Sequence, residues 1–402
     1  MKTKEVTIIG AGVAGLSAAT KLKKLGYKVV VYERESEAGG TPRHCGHTGF
    51  GIYEFKNMLS GPKYSKKLVD LANRVGVEIK LNHILTKIED NTLTFSTPEG
   101  ERTEEFEVLL LAIGARETPR SDRLVSGIRS PNIITTGTLQ RFAYMQELKP
   151  FKKAVIVGSE IVSFSALMTA KHLGVEIVAF IEEKENIDTF SPIKFVVDKA
   201  LRVPVLTSAK IDKIYGENKY VKGVTVTQNK EQKNIECDGV IFSGLFTPES
   251  AIAQQNLEHF NYTNNSLELT QNFQSLNRNI FIAGNAVRGA LSAYKCYFEG
   301  QKVAKFIDNY FKTQTEQNIV PISVDKNIYW YYPTTIDLNQ PFDKLTSLRV
   351  KQKIYGTFEV LLNGRRVYRR QTTVLPYKTL EIPWGDIELK EGDKIEIRVV
   401  EE

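Results

Sequence analysis

The sequence predicts an α/β chain with two parallel-sheet βαβ units, the second inserted in the first, followed by a small C-terminal all-β domain. Three observations predict it. An apolar run from Val6 to Ile9 meets Gly10, Gly12 and Gly15 and then a helix of small residues. The same strand–turn–helix order returns at Ala154 to Ser163, and from Asn327 onward helical periodicity gives way to β-branched and aromatic alternation. A glycine series between a strand and a helix makes the βαβ units Rossmann-like dinucleotide-binding domains.

The first turn assigns a task to each glycine. Gly10 allows the tight turn, Gly12 lets the backbone approach a pyrophosphate, and Gly15 lets the helix pack closely on the sheet. The phosphates then meet unpaired N–H groups at the positive end of the helix. A second apolar strand, Tyr27 to Tyr32, follows at βαβ distance and ends at Glu33, placed for a ribose hydroxyl pair.

Beyond Glu33 the chain reads Gly39-Gly40-Thr41-Pro42-Arg43-His44-Cys45-Gly46-His47-Thr48-Gly49-Phe50-Gly51. Two later marks are Val108 to Gly114, with Ala112-Ile113-Gly114 at its end, and Asn279 to Asn285, with Ala283-Gly284-Asn285 at its end. Together these resemble the FAD-binding half of the two-dinucleotide-domain flavoproteins, the glutathione-reductase-like superfamily, over residues 1 to about 318. The resemblance implies FAD at the first site. It carries the cofactor-binding set from Gly10, Gly12, Gly15 and Glu33 to Ala14, Arg34, Gly40 and Thr41. It then adds Arg43, His44, Leu85, Ala112 and Gly114, and on the ribityl and flavin side Gly284, Asn285, Ser292 and Ala293. Ile113 stands where the family has Thr, and Asn285 where it has Asp; an amide oxygen still accepts a hydrogen bond, without the charge.

The second turn is degraded. It reads Gly158, Glu160, Ser163, so two of three glycines are missing and a carboxylate stands where pyrophosphate would approach. Glu182 and Glu183 after the next strand suit a ribose and not a 2′-phosphate. NAD(P) is therefore expected to bind weakly or not at all.

The expected domains are residues 1–117 and 246–318 for the FAD-binding domain, 118–245 for the NAD(P)-binding-like insert and 319–402 for the β domain. Within the last, Asn363-Gly364 between alternating residues is a strong hairpin signal. Trp330, Tyr331 and Tyr332 read as a packed junction before an exposed stripe. Arg365, Arg366, Arg369 and Arg370 read as a solvated hairpin face.

His44-Cys45-Gly46-His47 is the densest reactive cluster. With no second cysteine nearby it cannot form a redox disulfide, and a zinc site would need a further ligand cluster, so no metal is expected. Cys45 with His47 remains either a catalytic thiolate pair at the flavin or a pocket-shaping element.

At 402 residues and 42% hydrophobic composition, two or three domains and a buried cofactor are expected. The net charge of +7 is dispersed, which argues against nucleic acid. No run approaches the roughly 18 apolar residues of a membrane span, the N-terminus opens directly into a strand, and the three cysteines lie far apart; a cytoplasmic protein is expected.

The stretch from Gly39 to Gly51, with Glu54-Phe55 and Gly61 to Tyr64, resembles most closely the flavoprotein α subunits of opine oxidase, hydrogen cyanide synthase and amino-acid dehydrogenase complexes. It also resembles flavoproteins associated with bacterial glycerol-3-phosphate dehydrogenases. That resemblance implies an electron-relaying subunit with a second dehydrogenase or oxidase subunit as partner, acting on an amine, amino acid or hydroxy compound, with small-molecule or protein electron donors and acceptors. A free-standing NAD(P)H:acceptor reductase and a non-catalytic FAD-bearing scaffold or nucleotide sensor are the alternatives.

Overall fold

The computed structural model describes residues 4–187, 203–376, 378–385 and 387–401. Among them the helices of ten or more residues are α1 (Val13–Lys24), α2 (Gly61–Arg74), α3 (Thr136–Met145), α4 (Ile161–His172) and α5 (Ala293–Thr313). No helix among the described residues is long and apolar enough to cross a membrane.

The chain divides into two compact units, Met1–Gly40 with Ser65–Ala115 and Pro248–Glu402, and Thr41–Tyr64 with Arg116–Thr247. The segment 41–64, expected with the first dinucleotide-binding half, groups with the insert, and the C-terminal β domain groups with the first unit.

In the first unit five parallel strands lie in the order Ile280–Ile282, Val108–Leu111, Glu5–Ile9, Lys28–Tyr32, Glu78–Lys80. Val108 to Leu111 is apolar throughout and wholly buried, as a strand covered on both faces must be. α1 packs against α5 at very short range, because a Cβ on Gly300 would collide with Ala14 O. The second unit repeats the order: Ile133–Thr135, Gly239–Phe242, Lys153–Val157, Glu176–Ile181, Val205–Leu206, again parallel. The two Rossmann-like sheets of the sequence reading are therefore present.

The β domain is a sandwich. A five-stranded sheet (Thr335–Asp337, Ile319–Val324, Ile395–Glu401, Ile354–Leu362, Arg365–Val374) and a three-stranded one (Ile328–Tyr332, Leu345–Val350, Leu380–Pro383) share a core that includes Phe358, Ile397, Leu348 and Ile382, all 0% exposed. Asn363 (φ 52°) and Gly364 (φ 79°) form the two-residue turn of the predicted hairpin, both at positive φ. Trp330 and Tyr331 are buried, as a packed junction requires.

Candidate functional site

The first glycine turn is held by constraints that only glycine meets. Gly10 sits at φ 101°, and a Cβ there would lie 2.5 Å from Ala112 O; a Cβ on Gly15 would collide with Gly10 O. Gly12 differs, since nothing lies nearer to an added Cβ than Gly40 Cα at 3.9 Å. Gly12 is the N-cap of α1 and has no side-chain cap. The turn thus leaves an open backbone cradle in front of uncapped helix amides, the arrangement that takes up a phosphate. Gly40, at φ 66°, closes over Gly12, where a Cβ would come within 2.7 Å of Gly12 Cα.

Glu33 follows its strand directly and is 8% exposed. Its Oε2 accepts the Ala11 N–H (2.8 Å) and its Oε1 the Glu35 N–H (3.0 Å), which leaves one lone pair on each oxygen for a ribose diol. The His83 N–H donates to Glu33 O at 2.9 Å, which brings the strand bearing Leu85 beside it. Arg34 is exposed. These residues fit the adenosine and pyrophosphate parts of FAD.

The ribityl-side turn carries residues that the sequence reading did not single out. Gly284 (φ 74°) donates its N–H to Glu299 Oε1 at 2.6 Å, and a Cβ on it would meet Ala14 Cβ at 2.8 Å. The other Glu299 oxygen lies 2.5 Å from Arg288 Nη1, with Glu299 buried and Arg288 mostly so. Burial pushes the Glu299 carboxyl up, while Arg288 and the Gly284 N–H pull it down. Asn285 Oδ1 accepts from the Cys296 thiol at 3.3 Å, which leaves its second lone pair and the Nδ2 donors to meet a hydroxyl group. α5 then begins behind Ser292, which is exposed and gives no side-chain cap. Glu299 sits mid-helix, where a charged residue reads as surface; no local pattern marks it.

The second turn repeats the frame of the first. The Gly10 N–H donates to Tyr32 O (2.8 Å) and the Gly158 N–H to Ile181 O (2.9 Å). Glu182 takes the place of Glu33: its Oε2 accepts from Ser159 Oγ (2.5 Å) and its Oε1 from the Lys184 N–H (3.0 Å). At the position of Gly12, however, stands Glu160, whose Oε1 accepts the Leu245 N–H at 2.6 Å. Its carboxylate lies so close over Gly244 that a Cβ there would meet Glu160 Cδ at 2.6 Å. Ser163, wholly buried, donates to Ser243 Oγ at 3.0 Å. Arg123 Nη2 donates to the Ser243 and Gly244 carbonyls, both at 3.0 Å. Burial lowers its pKa, and the charges of Glu117, Glu160, Glu182 and Glu183 act against that.

Thr41, Arg43, His44, Cys45 and His47 lie in the second unit, the first three on the 3-10 turn Thr41–His44. Cys45, 9% exposed, points its thiol toward Thr41 O (3.5 Å) and Gln140 Oε1 of α3 (3.7 Å). Burial, with the Glu117 charge behind it, pushes the thiol up to about 12. His47 is exposed, bonds through Nδ1 to Thr48 O (2.9 Å) and stacks on Phe50. The burial of this thiol and its two oxygen neighbours run against the thiolate reading of the cluster.

Residues 4–300 match the model of the family described as pyridine nucleotide-disulphide oxidoreductase. The chain belongs to that family. It is an FAD oxidoreductase. Among its relatives is the NAD-dependent dihydropyrimidine dehydrogenase subunit PreT of Escherichia coli (strain K12), 26% identical over 318 residues, 77% of this chain and 68% of that one. A ferredoxin–NADP reductase of Streptococcus thermophilus is 26% identical over 298 residues, 71% and 85%. The crystal structure of T. acidophilum thioredoxin reductase shares the fold, with a TM-score of 0.64 at 18% identity over 78% of this chain and all of that one.

Proposed function

We propose that this family member is an electron-relaying FAD subunit of a heteromeric dehydrogenase or oxidase acting on an amine, an amino acid or a hydroxy compound. The observation that carries the reading is the contrast between the two turns. The first presents bare amides at Gly12, and the second fills the same position with the Glu160 carboxylate, bonded to Leu245. A nicotinamide dinucleotide would have to displace that carboxylate or share its place, and like charges at one helix N-terminus repel. Bound FAD supplies two-electron chemistry. The protein's part is to hold it: α1 faces the pyrophosphate, Glu33 the ribose, and Gly284 and Asn285 the ribityl side. That a relative is named a dehydrogenase subunit supports a partner chain. The finer likeness to opine-oxidase and hydrogen-cyanide-synthase subunits, the cytoplasmic location and the domain limits 1–117, 118–245, 246–318 and 319–402 belong to the same proposal.

The names of the two relatives, one NAD-dependent and one an NADP reductase, favour a second reading, a free-standing NAD(P)H:acceptor reductase. Stopped-flow mixing of the FAD-loaded protein with NADH and with NADPH separates the two. Slow or absent bleaching supports the relay subunit. Complete reduction within milliseconds at micromolar nucleotide establishes the reductase.

A further inference from the structure

Within the first unit, the β domain is tied to the chain that precedes it by side chains that imitate peptide groups. Asn264 donates through Nδ2 to Tyr331 O (2.7 Å) and accepts the Tyr331 N–H at Oδ1 (3.0 Å). Gln271 does the same with Asp337, donating to its O (2.8 Å) and accepting its N–H (3.0 Å). Reciprocal amide pairs fix distance and rotation together, so strands Ile328–Tyr332 and Thr335–Asp337 are registered against the loop that precedes Gly284.

From that fixed frame two side chains reach the segment between Gly284 and α5. Trp330 Nε1 donates to Val287 O at 3.0 Å, and Arg349 Nη2 to Ala290 O at 3.4 Å. The centre of the Trp330 ring lies 5.5 Å from Arg288 Cζ and 5.5 Å from Arg349 Cζ. Arg288 also faces the rings of Phe273 (5.8 Å) and Tyr332 (5.7 Å), and its other contact is the ion pair to Glu299, which holds the Gly284 N–H. A continuous chain of contacts therefore runs from the β domain through Trp330, Arg288 and Glu299 to Gly284, and through Arg349 to the residue two before the α5 N-cap.

We propose that the C-terminal β domain braces the flavin side of the FAD site, with Trp330 and Arg349 as positioning residues for the segment 284–293. This rests on the FAD reading given above. The uncapped N-terminus of α5 favours negative charge in front of it, so its orientation bears on the stability of the reduced, more electron-rich ring relative to the oxidised one. Loosening the brace weakens binding of the reduced form more than of the oxidised form, and the potential falls.

The test uses the full chain with Trp330→Phe, which keeps a ring beside Arg288 and removes the donor to Val287. Arg349→Met is the second variant, at a half-buried surface position where loss of folding is not expected. The readouts are FAD stoichiometry, the apoprotein melting temperature and the two-electron midpoint potential against a reference dye. Arg349→Met is expected to retain FAD and melt near the wild type. Its potential should be lower by about 30 mV, a tenfold change in the ratio of FAD affinities in the two redox states. Arg349→Lys, which keeps a donor of similar reach, should restore part of the shift. Unchanged potentials in both Trp330→Phe and Arg349→Met, with FAD bound one per chain, overturn the brace while leaving the FAD site standing. A wild-type protein that takes up no FAD overturns the site and the brace together.

Discussion

Glu160 Oε1 accepts the Leu245 N–H at 2.6 Å, directly in front of the second helix of dinucleotide type. An internal carboxylate thus occupies the place that a phosphate would take by analogy with the first turn, with Arg123 close enough to offset its charge. Glu160→Gly removes both the bulk and the charge. We expect it to tighten NADH binding about tenfold, which corresponds to about 1.4 kcal/mol, as read by nucleotide titration of the loaded protein. An unchanged dissociation constant would mean that Glu160 is not what keeps nucleotide out.

Gly12 and Gly15 should separate cofactor binding from folding. A methyl on Gly12 fits the apoprotein, because its nearest neighbour is Gly40 Cα at 3.9 Å. Gly12→Ala should therefore melt like the wild type without FAD and take up FAD at least tenfold more weakly; Gly12→Val should be empty. Gly15→Ala drives its methyl into Gly10 O and should destabilise the apoprotein by about 1–3 kcal/mol. Equal losses of apoprotein stability in Gly12→Ala and Gly15→Ala would show that the cradle is not open as described.

The sequence revealed what is local in the chain. The glycine spacing located α1 and its turn, and Asn363-Gly364 located the hairpin, because positive φ at Gly10, Asn363 and Gly364 and close packing at Gly15 favour those residue types. The degraded motif located the second turn, but not what replaces the phosphate. The partner of Glu160 is Leu245, 85 positions away, and spacing does not report a contact of that range. Glu299 and Arg288 were illegible for the same reason, and Trp330 was legible as a junction residue but not as the partner of Val287. A glutamate in mid-helix is buried here because Arg288 and the Gly284 amide meet it, and both are set by tertiary packing.

The buried thiols predict an alkaline limit. Burial raises Cys45, Cys237 and Cys296 from about 9 to about 12 in the folded protein. Each group is bound more tightly to its proton in the folded state. Its contribution is complete below pH 9 and is lost as pH rises toward 12, with a slope of at most about 1.4 kcal/mol per pH unit per thiol. Urea midpoints measured at pH 8, 9.5 and 11 should fall steadily. A midpoint that stays level over that range would place the thiols in contact with water.

Cys45→Ser tests the remaining choice in the His44-Cys45-Gly46-His47 cluster. The thiol is buried, held up at about 12, and directed at Thr41 O and Gln140 Oε1. A serine hydroxyl is similar in size and can donate to the same two oxygens, although its shorter bond to carbon leaves a slightly looser fit. We expect the wild type to show no long-wavelength charge-transfer band, and the variant to keep FAD, to show an unchanged flavin spectrum and to pass electrons to a dye within about threefold of the wild-type rate. His47→Ala should behave alike, since that ring is exposed and bonded to its neighbour Thr48. A hundredfold loss of turnover in Cys45→Ser with FAD intact, about 2.7 kcal/mol of transition-state stabilisation, would instead make Cys45 a catalytic group. It would then have to lose its proton in the working enzyme against both its burial and the charge of Glu117.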